Sequence, residues 1–152
     1  MGSGVSLGTT GVSAMFKSTI KTQNLQARIE RRTGVSLTFA QAHTLRRAEL
    51  TLQRWAELEC GDSNDYASRG LERDEATGRP YMVVIPHKGD GKARRYPVAD
   101  RERGALKRVA SVCKDAGLNF YHQCDPRGCA LYVGSVALTD NNYSGTGVAC
   151  CD

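Results

Sequence analysis

The chain has 152 residues, enough for one ordinary domain and too few for two comfortable ones. Hydrophobic residues make up 40% and charged residues 24%, so a packed core is expected, and no apolar run approaches the roughly 20 residues that cross a bilayer. A net charge of +5 and an isoelectric point near 9.0 suit a nucleic acid or an acidic protein as partner, and equally a well-solvated surface rich in arginine.

Residues 1–33 read as a flexible leader, Gly/Ser/Thr-rich at its start and without the basic start and apolar centre of a signal peptide. This predicts a protein retained in the cytoplasm. Within the leader, Leu25 and Ile29 stand four apart in Thr22 to Arg32 and predict a short helix that ends at Thr33-Gly34. Thr38 and Gln41 then form a capping-box pattern, followed by Leu45, Ala48, Leu52 and Trp55 on one helical stripe. Arg46, Arg47, Glu49, Arg54 and Glu57 fall largely off that stripe, and Cys60-Gly61 closes the helix. Trp55, the single tryptophan, is expected as a core anchor.

Gly61 to Ser68 reads as a polar connection. A hairpin follows, from Leu71–Arg73 through Asp74–Gly78 to Tyr81–Ile85. Its second strand is apolar on both faces, which predicts a central strand. Ala93 to Tyr96 gives an extra strand. Asp100 is expected to cap a helix reaching Ala116, with Leu106, Val109, Ala110 and Cys113 on its buried face and Gly117-Leu118 as its stop. Asn119–Gln123 and Ala130–Val133 form a second hairpin around Cys124-Asp125-Pro126-Arg127-Gly128. The expected fold is α+β: an antiparallel sheet of two hairpins plus the extra strand, with two main helices on one face. It occupies residues 34–137 as a single domain, with a mobile polar tail at 138–152. Its core is expected to contain Leu45, Leu52, Trp55, Val83, Ile85, Leu106, Val109, Phe120 and Leu131.

Four segments in order carry a resemblance: Leu52 to Asp62, Glu72 to Tyr81, Ala99 to Arg108 and Phe120 to Gly128. Over Leu45 to Gly134 the chain resembles small accessory proteins of tailed phages and prophages. The resemblance implies a phage accessory protein in a bacterial cytoplasm. It implies no catalytic residues.

The second hairpin is the densest functional candidate. If Phe120, Leu131 and Val133 face the core, alternation sends Tyr121 and Tyr132 to the other face. Two rings beside Arg127 could stack on unpaired bases, with Lys88, Lys92, Arg94 and Arg95 as a basic loop near them in sequence. His122, Cys124 and Cys129 are candidate zinc ligands, since His122 and Cys124 share a face; a Cys-x-x-Cys knuckle is lacking, and a turn with incidental thiols is the simpler account. The six cysteines are expected as thiols, Cys113 as a core residue. Phosphate-loop and H-E-x-x-H motifs are both absent. The acidic cluster Glu72, Asp74 and Glu75 could hold a divalent cation, but sits at a turn where charge is ordinary. The leading expectation is a non-enzymatic protein that binds a host or phage macromolecule, without cofactor or membrane. A nucleic-acid-binding module and a small metal-dependent enzyme are the alternatives.

Overall fold

A computed structural model describes residues 2–61, 66–86, 91–125 and 128–139, with side-chain surroundings for 17–61, 69–86, 91–123 and 130–139. The elements are, in order, α1 (Gly2–Thr33), α2 (Phe39–Cys60), β1 (Tyr66–Arg73), β2 (Pro80–Pro86), β3 (Arg94–Pro97), α3 (Asp100–Ala116), β4 (Phe120–Asp125), β5 (Gly128–Val133) and β6 (Val136–Ala137). The fold is α+β. Its strands form two antiparallel three-stranded sheets, ordered β1-β2-β3 and β4-β5-β6, rather than the single sheet expected. β1 lies alongside β4, so the sheets meet at those two strands.

Local chemistry explains the helix ends. The Thr38 hydroxyl accepts from the Gln41 amide at 3.1 Å, and the Gln41 side chain accepts from the Thr38 amide at 2.9 Å, completing the capping box. Helix α3 differs from expectation at its start. Its N-cap is Ala99, which offers no side-chain bond; Asp100 is the first helical residue and pairs with Arg103. At the other end Gly117 adopts φ +70°, and the Leu118 amide bonds the Cys113 carbonyl at 2.8 Å.

One core lies beneath both sheets. It joins Leu25 and Ile29 of α1, Leu45, Leu52 and Trp55 of α2, Leu106 and Val109 of α3, Met82 and Val84 of β2, and Leu131 and Val133 of β5. Three expectations change here. The helix around Leu25 and Ile29 is longer than predicted, and its buried stripe belongs to the core, so the packed unit begins before residue 34. β1 starts at Tyr66, inside the stretch read as a connection. In β2 the buried residues are Pro80, Met82 and Val84, whereas Val83 is half-buried and Ile85 is 39% exposed. Helices cover only one face of the sheet, so the apolar residues of the other parity stay open to solvent.

Two charged residues of α2 placed on the solvent side by sequence are buried instead. Arg46 donates to the Ser18 hydroxyl at 3.0 Å. Glu49 is only 1% exposed, and its carboxyl oxygen accepts the Leu131 amide at 3.1 Å. The Leu131 carbonyl accepts from Leu138, so both backbone groups of Leu131 point away from β4. The two-residue β6 is too short to pair with that amide, and Glu49 takes the vacant place. Glu49→Ala should therefore strand a buried donor and lower the unfolding free energy by about 2–4 kcal/mol. Glu49→Gln, which keeps an acceptor oxygen, should cost less; urea unfolding of the three proteins measures the difference.

β5 turns into β6 through Gly134 and Ser135, both at positive φ (+52° and +67°), the primed turn that suits strand twist. A Cβ on Gly134 would stand 2.6 Å from Thr33 Cγ2. Gly134→Ala should cost about 1–3 kcal/mol from clash and backbone strain together. Thr33→Ser removes the opposing methyl and keeps the hydroxyl that bonds the Ile29 carbonyl. In that background the cost of Gly134→Ala should fall, which a double-mutant cycle by thermal denaturation will read.

Candidate functional site

The ladder register sorts the second hairpin by face. Phe120 pairs with Val133 and His122 with Leu131 on the helix side, while Tyr121 pairs with Tyr132 on the outer side. The tyrosine rings stack across the strands, centroids 5.4 Å apart and planes within 5°. Sharing a face was expected, but the two rings differ in access. Tyr121 is 41% exposed and Tyr132 only 8%. A platform of two open rings is thus reduced to one open ring backed by a buried one.

Of the basic residues named from sequence, Arg94 and Arg95 stand apart from this stack. Arg94 and Arg95 are neighbours on β3, so they point to opposite faces. Arg95 lies over the Tyr81 ring, 4.8 Å from its centroid. β3 is also separated from β4 by β2 and β1, which puts it roughly 14 Å or more from the tyrosine pair. Lys92 is exposed before β3. Lys88 and Arg127 lie outside the described residues.

Other cations take that place. Arg28, Arg31 and Arg32, from the last turns of α1, line a cleft of about 460 Å³ with Tyr132, Ser135 and Ala137. Arg28 donates to the Ala137 carbonyl at 3.0 Å, tying α1 to the edge of β6. Arg31 and Arg32 are exposed and sit where a helix dipole favours positive charge, which is sufficient structural reason for their presence. Sequence reading missed all three because they were assigned to the leader. The legible signal was Arg28 one residue before the buried Ile29, with two further arginines at the helix end.

The metal candidates lie on one hairpin. The backbone places Cys124 opposite Cys129, with their side chains outside the described set. His122 sits on the core side; burial, with a smaller contribution from the Arg69 charge, pushes its pKa down to about 4. Among the described residues no three His, Cys, Asp or Glu side chains come together as metal ligands. Cys60 and Cys113 are buried free thiols with pKa values raised to about 11 by burial. The acidic cluster is dispersed by its turn: Asp74 accepts the Ala76 amide, Glu72 accepts weakly from the Tyr81 hydroxyl at 3.4 Å, and Glu75 is exposed.

Compared with known protein families, curated proteins and solved structures, the chain matches none. Among the described residues no helix is long and apolar enough to cross a membrane.

His122 makes the site's surroundings testable. Its folded pKa lies below the usual histidine value of about 6.5, so its contribution to stability is complete above that pH and is lost as pH falls towards 4. The unfolding free energy should drop over that window by on the order of 2–3 kcal/mol from this group. His122→Phe, which cannot titrate, should flatten that part of the profile in denaturant titrations at stepped pH.

Proposed function

We propose that this chain is a phage-type accessory protein that works by binding rather than catalysis, and that its partner is a single-stranded nucleic acid. The phage-type character rests on the four resembling segments. The partner rests on one observation: Tyr121 is half-exposed and stacked on Tyr132, which itself lines the cleft of Arg28, Arg31 and Arg32. Tyr132 covers one side of the Tyr121 ring, so a base on the other side would continue the stack. The arginines lie along the same surface, where they would meet the sugar–phosphate backbone. Stacking tolerates any base, so preference for unpaired over paired strands is expected, with little sequence readout.

A second reading, a protein partner from phage or host, is favoured by the open sheet face. There exposed Ile85 and half-buried Val83 and Tyr81 form an apolar strip, rimmed by Arg95.

Fluorescence anisotropy with single-stranded and duplex oligonucleotides at several salt concentrations tests the first reading. Binding should favour the single strand and weaken steeply as salt rises. Tyr121→Ala should lower affinity about tenfold at constant salt. The Arg31→Ala/Arg32→Ala variant should reduce the slope of log affinity against log salt by about one. Absence of binding to every oligonucleotide at low salt would remove the proposal and leave the protein-partner reading.

A further inference from the structure

A second cationic cleft lies between the β1–β2 turn and α3. It encloses about 350 Å³ and is lined by Arg73, Arg79, Arg103 and Lys107 over an apolar floor that includes Pro80 and Leu106. No carboxylate is among its described lining residues. Two of its cations are pinned. Arg73 donates to the Gly78 carbonyl at 3.0 Å, and Arg103 donates to the Val98 carbonyl at 3.1 Å and pairs with Asp100. The turn itself is fixed by bonds from the Asp74 amide to Arg79, from Gly78 back to Asp74, and from the Arg79 amide to the Thr77 hydroxyl. Arg79 and Lys107 make no side-chain bond among the described residues, so two positive groups stand uncompensated on a rigid frame.

This cleft has an apolar neighbour. Where β1 meets β4, Leu71, Phe120, Tyr121 and Leu131 line a further cavity of about 300 Å³, together with Glu72 and His122. Arg73, Pro80 and Leu106 line both spaces, so the two compartments share a wall. Convergent cations suit a phosphate, which planar guanidinium groups hold through paired N–H donors. A cavity lined by Phe120, Tyr121 and Leu131, with Glu72 able to accept from a base N–H, suits a planar base. Each compartment is within the size range of small-molecule sites.

We infer that these adjoining clefts at the seam of the two sheets bind a phosphate monoester that carries a planar base, the chemistry of a nucleoside monophosphate or of the 5′-phosphorylated end of a strand. The phosphate takes the Arg73–Arg79–Arg103–Lys107 side, and the base takes the side of Phe120 and Tyr121. The site shares Tyr121 with the proposed strand-binding surface, but its phosphate cations are separate from Arg28, Arg31 and Arg32.

The test is calorimetric titration of the full chain with adenosine monophosphate, uridine monophosphate, ribose 5-phosphate, adenosine and inorganic phosphate. A nucleoside monophosphate should bind at least tenfold more tightly than ribose 5-phosphate or adenosine, because only it fills both compartments. The exposed pair Arg79→Ala/Lys107→Ala should lower that affinity at least tenfold with an unchanged melting temperature. Arg31→Ala/Arg32→Ala should leave it unaltered, which separates this site from the proposed strand-binding surface. Competition by a 5′-phosphorylated oligonucleotide, but not by its 5′-hydroxyl twin, would identify the strand end as the source of the ligand. Competition by neither would identify the free nucleotide. Equal affinity for nucleotide and inorganic phosphate, binding unchanged in the Arg79/Lys107 variant, or no binding of either nucleotide would overturn the inference.

Discussion

The hydrogen bond from the Leu131 amide to Glu49 ties the helical layer to the sheet at one fixed point. Apolar packing holds α2 against β5 but tolerates sliding, because it has no preferred direction. A buried N–H that must find an acceptor has one, and a carboxyl oxygen in the middle of α2 satisfies it. With Leu131 located in this way, strand alternation assigns the rest. His122 and Val133 turn inward, and Tyr121 and Tyr132 turn outward. Both candidate surfaces inherit their placement from that register. Burying a carboxyl group is costly, and it persists here because β6 ends before it can supply the missing rung.

Signals that are local in the chain were readable in it. The Thr38–Gln41 box makes both of its bonds, Gly117-Leu118 stops α3 in the left-handed conformation, and Tyr121 and Tyr132 share a face as alternation requires. What escaped depends on neighbours distant in sequence. Glu49 and Arg46 flank the Leu45–Leu52 stripe and read as solvated by residue type; partners on β5 and α1 help to make their burial worthwhile. β2 is apolar at every position, so its inward parity was undetermined until the helices covered one side. β6 spans two residues and follows a Gly-Ser turn, below the length at which strand periodicity carries information.

The candidate surfaces show the same division. Arg73, Arg79, Arg103 and Lys107 come from a hairpin and a helix, and nothing in their spacing announces convergence. Arg28, Arg31 and Arg32 were passed over because a Gly/Ser/Thr-rich start lowers the apparent order of everything adjoining it. Conversely, Arg94 and Arg95 look like a basic patch in sequence, yet consecutive strand residues cannot present one.

The outermost strands limit how this protein can associate. β3 has four residues, two of them arginine, and ends in proline, which cannot donate to an added strand. At the opposite margin β6 is two residues long, and the Arg28 guanidinium already occupies its Ala137 carbonyl. The inner margins, β1 and β4, lie against each other. Among the described strands the free backbone rims are thus short, charged or occupied, so copies gain little from joining through them edge to edge into fibres. A guest that recognises this molecule must accordingly read its side chains, since little main chain is left for it to zip onto.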